Sequence, residues 1–248
     1  MPLLGNPGHE ELVRFLRAIS SELPKPDAIL IISAHWEASQ FTVQHNAQPE
    51  LYYDYYGFPP ESYELKYPAP GAPAVALRLA ELLSRSNIGL AVDHERGFDH
   101  GVFIPLLLMY PAANIPCLQL SLREDLDVAA HIALGQALAP LRHENVLIFG
   151  SGSSFHNMQA FKDGSRGRDA AVAFDDWLGQ VCCDLAPRDA ANSLVAWQTA
   201  PEADYAHPRE EHLLPLHVCM GAAMAENESA RRVFNGDLMG YRMSGFLW

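Results

Sequence analysis

The run Ala28-Ile-Leu-Ile-Ile-Ser33 constrains this chain most: it carries no charge and sits between a helical pattern and a polar stretch. A strand exposed on one face alternates apolar and polar residues, so a continuous apolar run reads as a strand covered on both faces. Before it, residues 8–23 place Leu12, Phe15, Leu16 and Ile19 at the spacing of one helix face, and Pro24 and Pro26 end that helix. The alternation continues, with helices expected over 72–84, 102–110, 125–141, 170–185 and 210–224. Strands are expected over 88–92, 116–122 and 145–150. Helix and strand in turn imply an α/β domain with a mostly parallel central sheet flanked by helices. No repeat, low-complexity tract or linker divides residues 1–248, so one domain is expected.

Two stretches break the alternation. Residues 50–71 hold Tyr52, Tyr53, Tyr55, Tyr56, Phe58, Tyr63 and Tyr67 among four prolines, with neither a helical nor a strand period. Such a loop is expected to be ordered, either lying over a pocket or stapling itself to a sheet edge. Residues 161–169 are polar and read as a mobile surface loop.

Charge excludes some partners. The formal net charge is −13, and only three of the 17 basic residues are lysines. A phosphate-tracking surface needs a basic stripe, so nucleic acid is not expected as a partner, nor is an anionic membrane surface. No apolar run reaches the roughly 18 residues of a membrane span, and the first ten residues do not read as a signal peptide. Cys117, Cys182, Cys183 and Cys219 lack disulfide or zinc-site spacing and read as buried small hydrophobes, which points to a reducing, cytoplasmic setting.

Eleven histidines against three lysines is the unusual ratio. In open α/β sheets ligands bind beyond the carboxyl ends of the strands. His35 is expected just past one strand and His156 past another, after Ser151-Gly-Ser-Ser154. His100 lies at a helix mouth in Gly97-Phe-Asp-His-Gly101, and His207 and His212 flank the start of the last long helix. Separate segments thus carry histidines to one side, as a metal site built from neutral imidazoles requires. His9, His131 and His143 are expected to face solvent, and His45, His94, His207 and His217 to stand outside the site. Ser151-Gly-Ser-Ser154 matches neither a nucleophile elbow nor a phosphate loop, and its small residues suit close approach of His156 to a ligand.

The segment Tyr53-Asp-Tyr-Tyr-Gly-Phe-Pro-Pro-Glu-Ser-Tyr-Glu-Leu-Lys-Tyr-Pro-Ala-Pro-Gly71 resembles the DODA-type class III extradiol ring-cleaving dioxygenases. So do Ser33-Ala-His-Trp-Glu37, Gly97-Phe-Asp-His-Gly101, Gly152-Ser-Ser-Phe-His-Asn157 and His207-Pro-Arg-Glu-Glu-His212. The five motifs stand in the family's order along nearly the whole chain. The resemblance implies an α/β core with a metal at the strand carboxyl ends, and cleavage of a small, DOPA-like catechol by dioxygen. It implies Fe(II) for activity, with zinc held by purified or crystallised members. It makes His35, His156 and His212 metal ligands, with His156 alternatively the acid/base. His100 lines the substrate site and is the other acid/base candidate, and Tyr56 and Tyr67 are the loop's candidate substrate contacts.

Family members also carry a ligand histidine in a His-Gly-Ser-Pro-type segment that ends a strand before the first helix. Here the chain opens at Met1-Pro-Leu-Leu-Gly-Asn-Pro7. The expectation is a sequence that begins late, at an internal methionine, short of one strand and one ligand; if the chain truly starts there, weakened metal binding and little or no dioxygenase activity are expected. A zinc-dependent hydrolase on the same site and a non-catalytic metal-binding homologue are the competing readings, and homo-oligomerisation is left open.

Overall fold

The computed structural model describes residues 5, 7–160 and 165–248. A short 3-10 turn leads into α1 (Glu10–Ile19) and then β1 (Ala28–Ala38). There follow β2 (Thr42–Gln44), α2 (Pro73–Arg85), β3 (Ala91–Asp93), α3 (His100–Met109) and β4 (Cys117–Arg123). Next come α4 (Val128–Leu138), β5 (Val146–Ser151), α5 (Ser165–Asp184), α6 (Pro187–Val195) and α7 (Ala203–Ala206). The chain closes with α8 (Leu214–Ala223), β6 (Arg231–Leu238) and β7 (Tyr241–Leu247).

The first five strands form one sheet in the order β3-β2-β4-β1-β5. β1 pairs in parallel with both β4 and β5, and β2 pairs in parallel with β3. The single antiparallel contact joins β2 to β4 through Val43 and Leu120. The architecture is therefore the expected α/β domain with a mostly parallel sheet. The uncharged run in β1 explains its place. Leu30 and Ile32 pack into the core beneath α2, α4 and α8, while Ile29 and Ile31 pack against α3 and the tyrosine-rich loop. Alternate side chains of a strand point to opposite faces, so burying both faces calls for an unbroken apolar run.

The ladder between β1 and β4 is irregular toward the carboxyl end of β1. Ile32 pairs with Leu120 and Glu37 with Leu122, so residues 33–36 of β1 stand opposite Ser121 alone. Extra residues on one strand bend it and re-aim its side chains. His35 lies in that excursion, within β1 rather than past its end as the sequence had indicated. β5 forms one edge of the sheet. Beside it lies a cavity of about 400 Å3, lined by Phe15, Phe149, Pro215, Phe246 and Trp248 among others and reaching His212.

Several expectations need correction. The strand expected over 88–92 is only β3. Residues 165–169, read as part of a mobile loop, open α5, and 161–164 lie outside the described residues. α6 and the β6/β7 hairpin had no counterpart in the sequence reading. The hairpin pairs antiparallel and folds Tyr241, Met243 and Phe246 into a core shared with α5, α6 and α8. His9 and His131 are buried rather than solvent-facing, while His143 is exposed. All four cysteines are free. Among the described residues no helix is long and apolar enough to cross a membrane.

Candidate metal centre

Three parts of the sheet's carboxyl side bring histidines together. The β1 excursion presents His35, the first turn of α3 presents His100, and the loop after β5 together with the turn before α8 presents His156 and His212. The rings form one continuous cluster. Ring centroids of His35 and His100 lie 3.9 Å apart, those of His35 and His212 5.0 Å, and those of His156 and His212 3.4 Å with the rings nearly parallel. The four histidines expected at the site are thus adjacent in space, and His207 is not among them. It is buried, with Nε2 3.1 Å from the Ser154 carbonyl and its ring edge-on to Trp197.

Local packing makes these approaches possible. Gly152 lies against the His212 carbonyl, and a Cβ there would overlap that oxygen. The Ser153 N–H donates to the same carbonyl at 2.9 Å, and the His156 N–H donates to the Ala206 carbonyl at 3.0 Å. The small residues after β5 therefore admit the backbone before α8, which sets His156 beside His212. On the other side, a Cβ on Gly101 would overlap Ser33 Oγ, so the start of α3 can sit against β1 only as glycine.

A buried polar network anchors the His35 segment from below. Asp99 is fully buried and accepts hydrogen bonds from Ser33 Oγ (2.8 Å), Arg96 Nη2 (3.3 Å) and Gln119 Nε2. Ser33 Oγ in turn accepts the His35 N–H at 3.2 Å. Burial raises the Asp99 pKa against the pull of these donors. Arg96 also donates to the His35 carbonyl at 3.3 Å, and its guanidinium sits 5.0 Å from the Trp36 ring and 4.8 Å from the Tyr52 ring.

Two carboxylates that the sequence reading did not single out complete the cluster. Asp54, on the tyrosine-rich loop, has one carboxylate oxygen 2.8 Å from His100 Nδ1 and the other 3.8 Å from His35 Nδ1. Glu211 lies 2.8 Å from His212 Nδ1 and 3.4 Å from His156 Nδ1. Asp54 is the one acidic residue among positions 51–60, and Glu211 adjoins His212. Those were the available signals, but neither announces a role before the fold brings the residues together. Arg209 pairs with Glu37 at 2.5 Å and reaches Glu211 at 3.4 Å, linking the last motif to β1.

The electrostatics favour metal ligation. Burial lowers the His35 pKa to about 3, helped by the neighbouring His100 and His212, and burial also lowers that of His212. Burial opposes ionisation of Asp54 and Glu211, but hydrogen bonds from their imidazoles prevail and hold both carboxyls below their ordinary range. At neutral pH His35 and His212 therefore stand as neutral imidazoles beside ionised carboxylates, the protonation states that divalent transition ions take. Two sets of possible ligand atoms are close enough to share an ion, His35/Asp54/His100 and His156/Glu211/His212, each within 4.8 Å. The donor set fits a transition metal. An ion shared by His35, His156 and His212 would draw on both sets.

The loop's tyrosines take unlike places. Tyr67 is a core residue, 2% exposed, with its hydroxyl 3.2 Å from the Tyr110 carbonyl, which removes it from the expected substrate contacts. Tyr56 is 91% exposed. Tyr55 is the tyrosine that meets the cluster, its ring edge-on to His100 at 5.6 Å. The loop is ordered by its own bonds, Tyr53 to the Leu65 carbonyl (2.6 Å) and Tyr55 to the Ser62 carbonyl (2.5 Å). It also packs Tyr53 and Tyr55 against Phe103 of α3, so it serves as a staple as well as lying beside the site.

Residues 6–246 match the family model described as the catalytic LigB subunit of aromatic ring-opening dioxygenase. The chain belongs to the LigB family. Among its relatives, a 4,5-DOPA dioxygenase extradiol of Beta vulgaris is 44% identical over 223 residues, covering 88% of this chain and 81% of that protein. Dioxygenase tasH of Hapsidospora irregularis is 38% identical over all of this chain and 82% of its own length. A crystal structure of an uncharacterized Escherichia coli K12 protein aligns with a TM-score of 0.76 at 30% identity, covering 94% of this chain and 90% of that one. The LigB relationship agrees with a metal-dependent oxidoreductase fold carrying its histidines at the strand carboxyl ends.

Proposed function

We propose that this LigB-family chain is an Fe(II)-dependent extradiol dioxygenase that opens the ring of a small, DOPA-like catechol with dioxygen. The convergence of His35, His100, His156 and His212 carries the reading, with Asp54 and Glu211 holding their rings. Relatives named as 4,5-DOPA dioxygenases support the choice of substrate class. His35, His156 and His212 hold the ion, which would supply Lewis acidity toward the two catechol oxygens and electrons for dioxygen activation. Ring opening next to the hydroxyls requires a group that accepts a hydroxyl proton and later returns it. His100 stands at the cluster for that work, with His156 the alternative if it does not ligate the ion, and the Tyr55 ring beside His100 forms part of the aromatic wall.

The test is reconstitution with ferrous iron under anaerobic conditions, followed by 3,4-dihydroxyphenylalanine and then air. A yellow ring-opened product formed with one dioxygen consumed per catechol supports the reading. Turnover that proceeds without oxygen, on an ester or amide with zinc bound, would replace it with a hydrolase.

A further inference from the structure

We propose that Asp54 is a positioning residue that fixes His100 with Nδ1 protonated, so that Nε2 faces the site as a proton acceptor toward the substrate hydroxyl. The inference deepens the proposed function and rests on it for the identity of the substrate, but its geometry stands separately. One oxygen of Asp54 meets two nitrogens of a single residue, accepting the His100 backbone N–H at 3.0 Å and lying 2.8 Å from its Nδ1. An ionised carboxylate only accepts, so Nδ1 must carry the proton, and in a neutral imidazole that leaves the lone pair on Nε2.

The division of labour between adjacent acids supports this. Asp99 precedes α3 at the usual capping position, yet its side chain makes no cap bond and is committed to Ser33, Arg96 and Gln119 below. The free N–H at the start of α3 is met by Asp54 from another segment, where a helix N-terminus favours negative charge. The loop is strapped to deliver it. The Tyr52 N–H donates to the Phe98 carbonyl at 2.7 Å and the Phe98 N–H to the Glu50 carbonyl at 2.8 Å. Glu211 offers no equivalent service to His156, because its shorter contact goes to His212.

Nitrogen-15 spectra of the histidine rings in the full chain, before metal addition, report the tautomer directly, with the His100 signals assigned from their loss in His100→Gln. The Nδ1–H form is expected in the native chain. Asp54→Ala should give a tautomer mixture, and Asp54→Asn, which keeps a neutral acceptor, an intermediate state. Catechol turnover should fall about 10–100-fold in Asp54→Ala. A native His100 in the Nε2–H form, or an unchanged tautomer in Asp54→Ala, overturns the proposal. A tautomer shift in the variants with no ring opening by any chain would uphold Asp54 and instead defeat the proposed activity.

Discussion

The histidines of this protein fall into two regions that treat the same ring in opposite ways. Under α4 and α8, His131 and His217 are fully buried and spend both ring nitrogens on backbone. His131 Nδ1 lies 2.7 Å from the Asp127 carbonyl and Nε2 accepts the Arg123 N–H at 3.2 Å, while His217 has a carbonyl 3.1 Å from each nitrogen. At the strand ends, Nδ1 of His100 and of His212 is held by a carboxylate, and the rings face one another rather than the main chain. A histidine whose two nitrogens both meet backbone is part of the scaffold. One held by a carboxylate on a single side, among other histidines, is arranged to bind something.

The comparison breaks most visibly if the two regions respond alike to truncation. His35→Ala and His212→Ala each remove an imidazole from the cluster. Each should cost metal affinity more than the roughly 10–100-fold expected of an outer partner, measured by cobalt or zinc competition, with the far-ultraviolet dichroism unchanged. His217→Ala should leave metal affinity intact and lower stability instead. Metal retained by both site variants would remove the assignment of this cluster as the centre.

The fold was legible where one element's own residues determine its burial. The charge-free run of β1 announced a two-faced strand, and the helix-strand rhythm announced the sheet. The hairpin was not legible, because Arg231, Arg232, Asn235 and Asp237 interrupt its apolar residues and its partner surface lies on α5 and α1. The clustering of His35, His100, His156 and His212 was legible because each sits in a strand-end or helix-start segment. His131 was misread for the converse reason. Its position on α4 looks peripheral, and only packing against Phe41 and the end of β4 buries it. Asp54 and Glu211 are two of 30 acidic residues, and nothing but tertiary proximity separates them from the others.

A second way to sharpen the comparison is pH. Burial holds the His131 pKa below its ordinary value of 6.5, and that of His217 down to about 4. Unfolding exposes both rings, so below pH 6.5, and down to about 4 for His217, the unfolded chain binds more protons than the folded one. Their contribution is therefore present above pH 6.5 and is lost as the pH falls through this window, by up to about 1.4 kcal/mol per pH unit for each ring. His131→Leu should remove one ring's share of that slope in urea melts. It should also cost about 1–3 kcal/mol at pH 7, because the Arg123 N–H loses its acceptor. An unchanged slope would mean that His131 is not held neutral, and the scaffold half of the comparison would fail.

The smallest expected effect separates staple from pocket within the tyrosine-rich loop. Tyr67 and Tyr55 are twelve positions apart, yet one is enclosed with its hydroxyl on the Tyr110 carbonyl and the other turns its ring toward His100. Tyr67→Phe keeps the ring and deletes one buried hydrogen bond, a change of about 0.5–1.5 kcal/mol in stability. It should leave the KM for the catechol where it was, because a side chain 2% exposed is closed to substrate. Tyr55→Ala should do the reverse in kind, raising KM by opening the wall beside His100. If Tyr67→Phe altered KM while stability held, the loop would have to open during turnover far enough to expose a residue that now packs with Phe98 and Val102.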